Sequence, residues 1–555
     1  MLAVVLLLVW PIVSGPTIVH PDEAVYGAQA RNIAHGSWFS SRPAPDLDPD
    51  AVHEPLFSEI AHGDQVIPYA RHITYPLLLV PGWILAGRAG MILISIIALW
   101  GAAVMSGLIA RMISTQLGTW SLWSIGFGSP LVFYGYTTIG HTIGAALFGV
   151  TFCGVSSAIR DSRYRHLLYA LPAAVLTVMI RSEGLVVIGS LGATICVLAC
   201  GIPSLRRFRW PEILIGLAVG STAILAYMLD NRLVRIVTGE VNIRVDPTKL
   251  VLGKDAGPMS AAWSSLFRPW HGTGIDAVPW PLLTSVSLLI AAIAWRLSSR
   301  RPLLPLSLLA MGLVSGVSQA LGAPRLITGL FVALPTLLPG LLLISRIDYR
   351  SPVVKRVIIS SALSFTLLIV SIYESGGASE WGGRFFQILL PIVVPVSLLG
   401  WSNLLSKFEK PIRRYVIVCL LTISLAMSVS ALRINHAMYV NYKGFRSAVL
   451  AAALKTSDSA SRPLVLVGTQ DGSSRYFWDD LNQVDVLTAA APPNLLYLIQ
   501  QASKSRGRVV VVSPYSPELF DSGFGPGLKE LGWSVIQTPS NVGIAYLYVL
   551  GPSGS

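Results

Sequence analysis

Long apolar runs alternate with short polar intervals along the chain, and their spacing sets out the architecture before any single residue is weighed. About 20 apolar residues cross a hydrocarbon core as a helix, and by that measure roughly thirteen crossings are expected. They fall near 2–19, 89–110, 119–136, 142–159, 167–181, 184–202, 211–230, 279–296, 303–320, 327–345, 357–373, 385–402 and 415–432. Basic residues gather in alternate intervals. Arg111, Arg160 with Arg163 and Arg165, Arg206 with Arg207 and Arg209, and Arg296 with Arg300 and Arg301 fall on one side. Arg346 with Arg350, Lys355 and Arg356, and Lys407 with Lys410, Arg413 and Arg414, join them. The positive-inside rule makes that side cytoplasmic. The opposite side receives the 20–75 and 231–278 loops, the turns near 137–141, 181–183, 321–326 and 374–384, and the C-terminus.

The pattern changes after about residue 433. Pro463–Gly468 and Arg508–Ser513 are continuous apolar runs of strand length, 491–505 and 525–531 have helical spacing, and 535–537 and 544–549 have the pattern of closing strands. The expected division is a polytopic α-helical membrane domain over 1–432 and a small extracytoplasmic α/β domain over 433–555. The latter has no Gly-rich phosphate fingerprint, which argues against a nucleotide site.

Composition narrows the class further. The chain is 53% hydrophobic and 12% charged, about half the charge of a soluble domain. Its formal charge of +13 is accounted for by the cytoplasmic loops, so no nucleic-acid partner is implied. Cys153, Cys196, Cys200 and Cys419 all lie in apolar spans, where small packing residues are expected rather than a disulfide framework or a metal site. The start, Met1–Val19, has no basic n-region and no small-residue cleavage pattern before the acidic pair; it is expected to be a retained span.

His20-Pro21-Asp22-Glu23 follows that first span and carries two adjacent carboxylates on the external side. Ala24–His35 continues as a short amphipathic helix ending at Gly36. Proline and acids in a first turn are ordinary helix-start preferences, so the pair by itself has a purely structural explanation. A polar loop with Asp46, Asp48, Asp50, Glu54, Glu59 and Asp64 follows, and Tyr69–Gly82 then has the pattern of a second, membrane-skimming helix beginning with Arg71-His72. Carboxylates on one such helix and cations on the other would hold an acceptor hydroxyl and a lipid-linked phosphate together.

At these residues the chain resembles the GT-C superfamily of membrane glycosyltransferases, in the branch of protein O-mannosyltransferases and the lipid A aminoarabinose transferase. Asp22-Glu23, Tyr26 and the helix through Arg31 carry the resemblance, with Tyr75-Pro76-Leu77-Leu78 matching the start of that branch's second interfacial helix. Tyr134–His141, Ile180–Gly184 and Glu380-Trp381-Gly382-Gly383-Arg384 are similar turns. The resemblance covers about residues 1–430 and leaves the C-terminal domain outside it. It implies inverting transfer of one sugar from a polyprenyl-phosphate carrier to an acceptor hydroxyl on a lipid, glycan or protein, at the external face of the cell membrane. A phosphate leaves without protonation, so one carboxylate base and a few cations suffice, whereas a glycosidase needs a second acid.

On that reading Asp22 is the base and Glu23 supports it, since neighbouring helical side chains diverge by about 100°. Arg71, His72, Arg384 and Arg325 are the candidate phosphate ligands, although the branch carries a Lys near the position of Arg71. Tyr26, His141, Trp381 and Glu54 are candidates for substrate contacts. Each has an ordinary alternative: His141 as a satisfied interfacial histidine, Arg181 and Glu183 as a loop ion pair, and Trp381–Arg384 as an aromatic-belt turn with a snorkelling Arg. The 231–278 loop, with Arg244, Lys249, Lys254, Trp263, Phe267, Arg268, Trp270 and His271, would cover a donor or meet lipid headgroups. No cofactor is implied; the 137–141 turn has no acid, so a metal-independent site is expected, with Asp46 and Glu54 as the divalent-metal alternative.

Three other functions compete: a ligase or polymerase taking a diphosphate-linked glycan, a lipid-linked-sugar flippase or transporter, and an inactive scaffold. Transporters place ionisable groups within the bundle; here charges gather in external loops. The orientation is directly testable. In a variant without the four native cysteines, Ser162→Cys should resist a membrane-impermeant maleimide on right-side-out membranes and Ser522→Cys should react. The reverse pattern would invert the topology.

Overall fold

The computed structural model describes residues 1–15, 20–50, 53, 60–62, 64–69, 72–200, 209–239, 258–269, 279–297, 303–371, 381–456, 462–468, 473–489, 492–541 and 545–553. Among these, nine helices are long and apolar enough to cross a membrane: Thr74–Ile113, His141–Asp161, Glu183–Cys200, Trp210–Thr238, Trp280–Leu297, Leu303–Leu321, Pro352–Ser371, Arg384–Leu405 and Lys410–Thr456. The other expected spans take shorter forms. Leu2–Val13 (α1) and Tyr164–Ile180 are apolar helices below that length. The 119–136 span is divided into Leu117–Gly126 and Leu131–Gly135, since Gly128-Ser129-Pro130 interrupts the donor ladder. Around Leu334-Pro335 the 327–345 span divides in the same way, into Leu330–Ala333 and Leu337–Leu342.

The described residues fall into two compact units, one within Met1–Val13, Ile92–Leu233 and Arg244–His436, the other within Ser14–Met91, Val234–Ile243 and Ala437–Ser555. In the first unit helices meet through small residues, as bilayer packing favours. A Cβ on Gly192 would stand 2.7 Å from the Gly220 backbone nitrogen, and Thr284 and Ser315 share a hydroxyl hydrogen bond of 2.8 Å. The cysteines are free; Cys153 and Cys419 are buried, and the Cys196 thiol lies 3.8 Å from the Ile213 carbonyl.

The second unit joins the loop after α1 to the C-terminal residues. Helix α2, Pro21–Ala34, is followed by Gly36 at φ 81°, the left-handed position that glycine adopts at little cost. Strands β1 (Ser40–Ser41), β2 (Ile60–His62) and β3 (Gln65–Ile67) form a small antiparallel sheet in the order β1-β3-β2, which the polar loop did not advertise. Helix α3, Thr74–Ile113, contains a kink at Ala86-Gly87, with Gly87 at φ 59°. The expected interfacial segment and the following span are the two arms of that kink.

The C-terminal sheet comprises β4 (Leu464–Val467), β5 (Asp485–Thr488), β6 (Val509–Ser513), β7 (Trp533–Asn541) and β8 (Tyr546–Pro552), in the order β5-β4-β6-β8-β7. The β4-β5 and β4-β6 pairs are parallel, and β6-β8 and β7-β8 are antiparallel. Strand periodicity divides the side chains between two cores. Leu464, Leu466, Leu487, Val509, Val511, Tyr548 and Leu550 pack with Leu495, Ile499, Phe520, Phe524 and Leu528 from the helices Pro492–Ala502 and Pro517–Glu530. On the opposite face Val465, Val467, Val486, Val510 and Val512 pack with Phe445 and Val449 of the long helix and with Ala24, Val25 and Ala28 of α2. Each buried Val, Leu or Phe contributes on the order of 1.5–3 kcal/mol and each alanine less, so α2 is seated by the sheet's own core.

Phe520 is fully buried and stacks on Tyr548 at 3.9 Å between ring centroids. Phe520→Ala should cost about 3–5 kcal/mol, measured as a lower melting temperature of the solubilised protein. An unchanged melting temperature would mean that this face is not a core of the domain.

Candidate active site

Helix α2 begins with its charges in place. His20 has extended backbone at φ −122°, ψ 143°, and Pro21 occupies the first turn with Asp22 and Glu23. The His20 ring nitrogen Nδ1 accepts the Asp22 backbone N–H at 3.1 Å, so His20 caps the helix with a side chain that competes poorly for that role in general. The cap requires the neutral tautomer with its proton on Nε2. The His20 carbonyl accepts the Glu23 N–H at 3.0 Å. The two acids then differ sharply in exposure: Glu23 is 2% exposed and the Asp22 side chain 28%. The two side chains are not equivalent.

Asp22 is met by a residue the sequence reading did not single out. Arg475 Nη1 donates to Asp22 Oδ1 at 2.5 Å, while Asp22 Oδ2 lies 3.9 Å from His20 Nδ1. Arg475 sits on the 3-10 helix Ser473–Phe477, between β4 and β5. The turn after it is anchored by ion pairs. Asp479 receives Arg88 Nε at 2.8 Å and Arg31 Nη1 at 3.3 Å, and Arg446 binds both oxygens of Asp480 at 2.6 and 2.7 Å. Burial would raise the Asp479 carboxyl, but the Arg88 and Arg31 guanidiniums outweigh it and hold the group below the usual carboxylate range. The hydrogen bonds that Arg446 donates to Asp480 hold its guanidinium above its ordinary value, although burial opposes this. Gly27 admits Arg88 to the clamp: a Cβ there would stand 3.0 Å from Arg88 Nη1.

The other interfacial candidates pack around α2. Tyr26 is buried and meets Tyr69 and Tyr75 edge-on, at 4.6 and 4.9 Å between ring centroids. His72 is buried and accepts the Tyr75 N–H at its carbonyl, 2.9 Å away. Its place is therefore just before α3, not within it. Arg71 and Glu54 lie outside the described residues, as do Arg244, Lys249, Lys254, Trp270 and His271. Asp46 is paired with Arg506 at 3.3 Å. Among the described residues no group of three or more His, Cys, Asp or Glu side chains is arranged to hold a metal.

His141, Arg325, Trp381 and Arg384 belong to the first unit, whereas Asp22, Glu23, Tyr26 and His72 belong to the second. Trp381 is 1% exposed, its ring nearly parallel to that of Phe133 at 6.2 Å. Its backbone N–H donates to the Tyr134 hydroxyl at 2.9 Å, and its carbonyl accepts Gln387 Nε2 at 2.5 Å. The sugar-stacking face expected of Trp381 is thus buried in the fold. Gly382 and Gly383 have φ of 62° and 65°, and a Cβ on Gly383 would stand 2.5 Å from the Ser265 carbonyl oxygen; both conditions call for glycine. Arg384 follows, half-buried, at the start of the 3-10 helix Arg384–Leu389. His141 is buried at the start of His141–Asp161, 4.3 Å from the Tyr134 ring. Arg181 and Glu183 form the expected ion pair at 2.6 Å. Arg325 is exposed in a loop.

No family model matches the sequence, and no curated protein matches it. Among solved structures the chain is similar to ArnT from Cupriavidus metallidurans in the apo state, with 11% identity and a TM-score of 0.57 over 100% of this chain and 97% of that one. It is also similar to the same protein bound to undecaprenyl phosphate, with 12% identity and a TM-score of 0.53 over 100% and 98% of the two chains. The archaeal oligosaccharyltransferase AglB from Archaeoglobus fulgidus, in complex with an inhibitory peptide and a dolichol-phosphate, has 12% identity and a TM-score of 0.47 over 92% of this chain and 69% of that one. The chain therefore shares the fold of ArnT, a structure of the kind expected from the motifs. The likeness to ArnT runs through the C-terminal domain as well, beyond the limit of about residue 430 read from the sequence.

Asp479→Asn would leave two arginines facing a neutral group, at a cost of about 3–5 kcal/mol. A carboxylate whose folded pKa is depressed stabilises fully above its unfolded value, about 3.9 for Asp, and ceases to do so as pH falls through the folded one. The variant should therefore melt well below the wild type at pH 7, with the gap narrowing below about pH 4. A gap independent of pH would exclude the ionised clamp.

Proposed function

We propose that this chain is a membrane glycosyltransferase of GT-C type. It moves a single sugar from a polyprenyl-phosphate carrier to an acceptor hydroxyl on a lipid, glycan or protein, at the extracytoplasmic face of the cell membrane. The carrying observation is a half-exposed carboxylate, Asp22, fixed at a helix start by His20 and Arg475 in a chain with the fold of ArnT over its whole length. The undecaprenyl phosphate bound by ArnT supports a donor of that class here.

In the proposed step the acceptor oxygen attacks the anomeric carbon as Asp22 takes its proton. The bond from that carbon to the phosphate oxygen breaks, and the polyprenyl phosphate departs with the electron pair. Attack opposite the leaving group inverts the anomeric centre. Glu23, buried in the same first turn, supports the helix start and does not share the proton transfer. The departing phosphate requires cationic contacts, for which Arg71 and His72, close in sequence to the acidic helix, are the proposed sources.

Purified wild type, offered undecaprenyl-phosphate donors carrying different sugars, should transfer one of them as read by mass spectrometry of the product. Asp22→Asn should lose at least about 100-fold in rate while keeping its melting temperature. Full activity in that variant would remove the base assignment. Transfer only from a diphosphate-linked oligosaccharide would establish the ligase reading, and carrier movement without bond formation the flippase.

A further inference from the structure

The ion pair between Asp22 and Arg475 joins the candidate base to a domain that the catalytic motifs do not reach. Three observations bear on what it does. First, the contact is short and charged: Arg475 Nη1 binds Oδ1 at 2.5 Å, and Oδ2 lies 3.9 Å from His20 Nδ1. A carboxylate can rotate about its last torsion with little resistance, so a charged donor on one oxygen restrains its plane. Second, the platform beneath Arg475 is held from several directions. Tyr476, Phe477 and Trp478 are 2%, 0% and 1% exposed, and the next two residues are the aspartates clamped by Arg31, Arg88 and Arg446. Third, Arg475 itself is only 20% exposed, and its Nε is buried with no hydrogen-bond partner among the described residues. A guanidinium drawn this far from water holds its ionic partner more tightly than a solvated surface pair would.

We infer that Arg475, supplied by the C-terminal domain, is a positioning residue that sets the rotamer of Asp22. The inference rests on the reading of Asp22 as base. It gives the C-terminal domain a direct part in the reaction: the sheet seats α2 through Ala24, Val25 and Ala28, and the segment after β4 fixes the carboxylate at that helix's first turn. Arginine suits the task better than lysine, because its planar fork holds an angle as well as a charge.

Two measurements test this, one of them independent of turnover. The first is carbodiimide-driven coupling of glycine amide to carboxyl groups, read by mass spectrometry of peptides. Asp22 should couple at least about tenfold faster in Arg475→Ala than in wild type, with Arg475→Lys between them, since the held carboxylate loses a charge-assisted bond. Glu23, 2% exposed, should stay unmodified in all three, which separates release of Asp22 from unfolding. Equal coupling of Asp22 in wild type and Arg475→Ala overturns the inference. The second is kinetic, with the undecaprenyl-phospho-sugar that wild type accepts. Arg475→Ala should lower kcat about 10–100-fold with the donor KM within about twofold, Arg475→Lys should recover part of it, and Arg475→Ala should add nothing in an Asp22→Asn background. An equal loss in that background, a raised donor KM at unchanged kcat, or a kcat at or above wild type each overturns it. Full activity of Asp22→Asn removes the base reading alone, and the coupling experiment then still decides whether Arg475 holds the side chain.

Discussion

Asp479 is where three distant stretches of chain are made to agree on one geometry. Arg31 reaches it from the last turn of α2, Arg88 from just beyond the kink in α3, and the carboxylate itself stands in the turn after β4. An ion cluster at 14% exposure is costly to desolvate and is retained only when its geometry is nearly complete. Here each arginine fixes its own element, and the glycine at position 27 clears the passage for Arg88. Displacing the carboxylate would leave two guanidiniums facing each other without compensation, and displacing either arginine would release its own element. The apolar contacts of α2 with the sheet set its depth, and the clamp sets its rotation and register.

That division of labour explains how a marginal helix is held. Fourteen residues make a helix that would scarcely persist in water by propensity alone. Two alanines and a valine give it a narrow apolar contact with the sheet, the Tyr26–Tyr69 and Tyr26–Tyr75 edge contacts fix its other flank, and Gln29 closes the remaining backbone groups, donating to the Trp38 carbonyl at 3.0 Å and accepting the Tyr69 N–H at 3.3 Å. The polar helix is thereby stabilised by tertiary partners, which leaves its first turn available for chemistry.

Much of this was legible in the sequence, for identifiable reasons. The long spans follow from apolar runs that no other structure accommodates, and α2 from His20-Pro21-Asp22-Glu23 at one end and Gly36 at the other. Strands β4 and β6 were legible because both faces are buried and the runs are continuously apolar. Strand β5 was not, being four residues long and beginning with a buried aspartate, Asp485. The two divided spans show the opposite lesson: Gly128-Ser129-Pro130 and Pro335 mark the breaks, but hydropathy averages across them. Arg475 was illegible for a deeper reason, since its partner is 453 residues away. The available signal was local density: Ser-Ser-Arg-Tyr-Phe-Trp-Asp-Asp, 473–480, concentrates charge and aromatic surface between apolar strands.

That separation also orders events in time. A ribosome adding about 5–20 residues per second needs roughly 20–90 s to travel from Asp22 to Arg475. Throughout that interval α2 exists without its clamp, its sheet or the arginine at its first turn. The carboxylate near the beginning of the chain therefore acquires its working geometry only when the segment after β4 has been made and folded. Assembly of the site thus waits on synthesis of that segment, and a chain interrupted before it would carry the apolar helices without an organised Asp22.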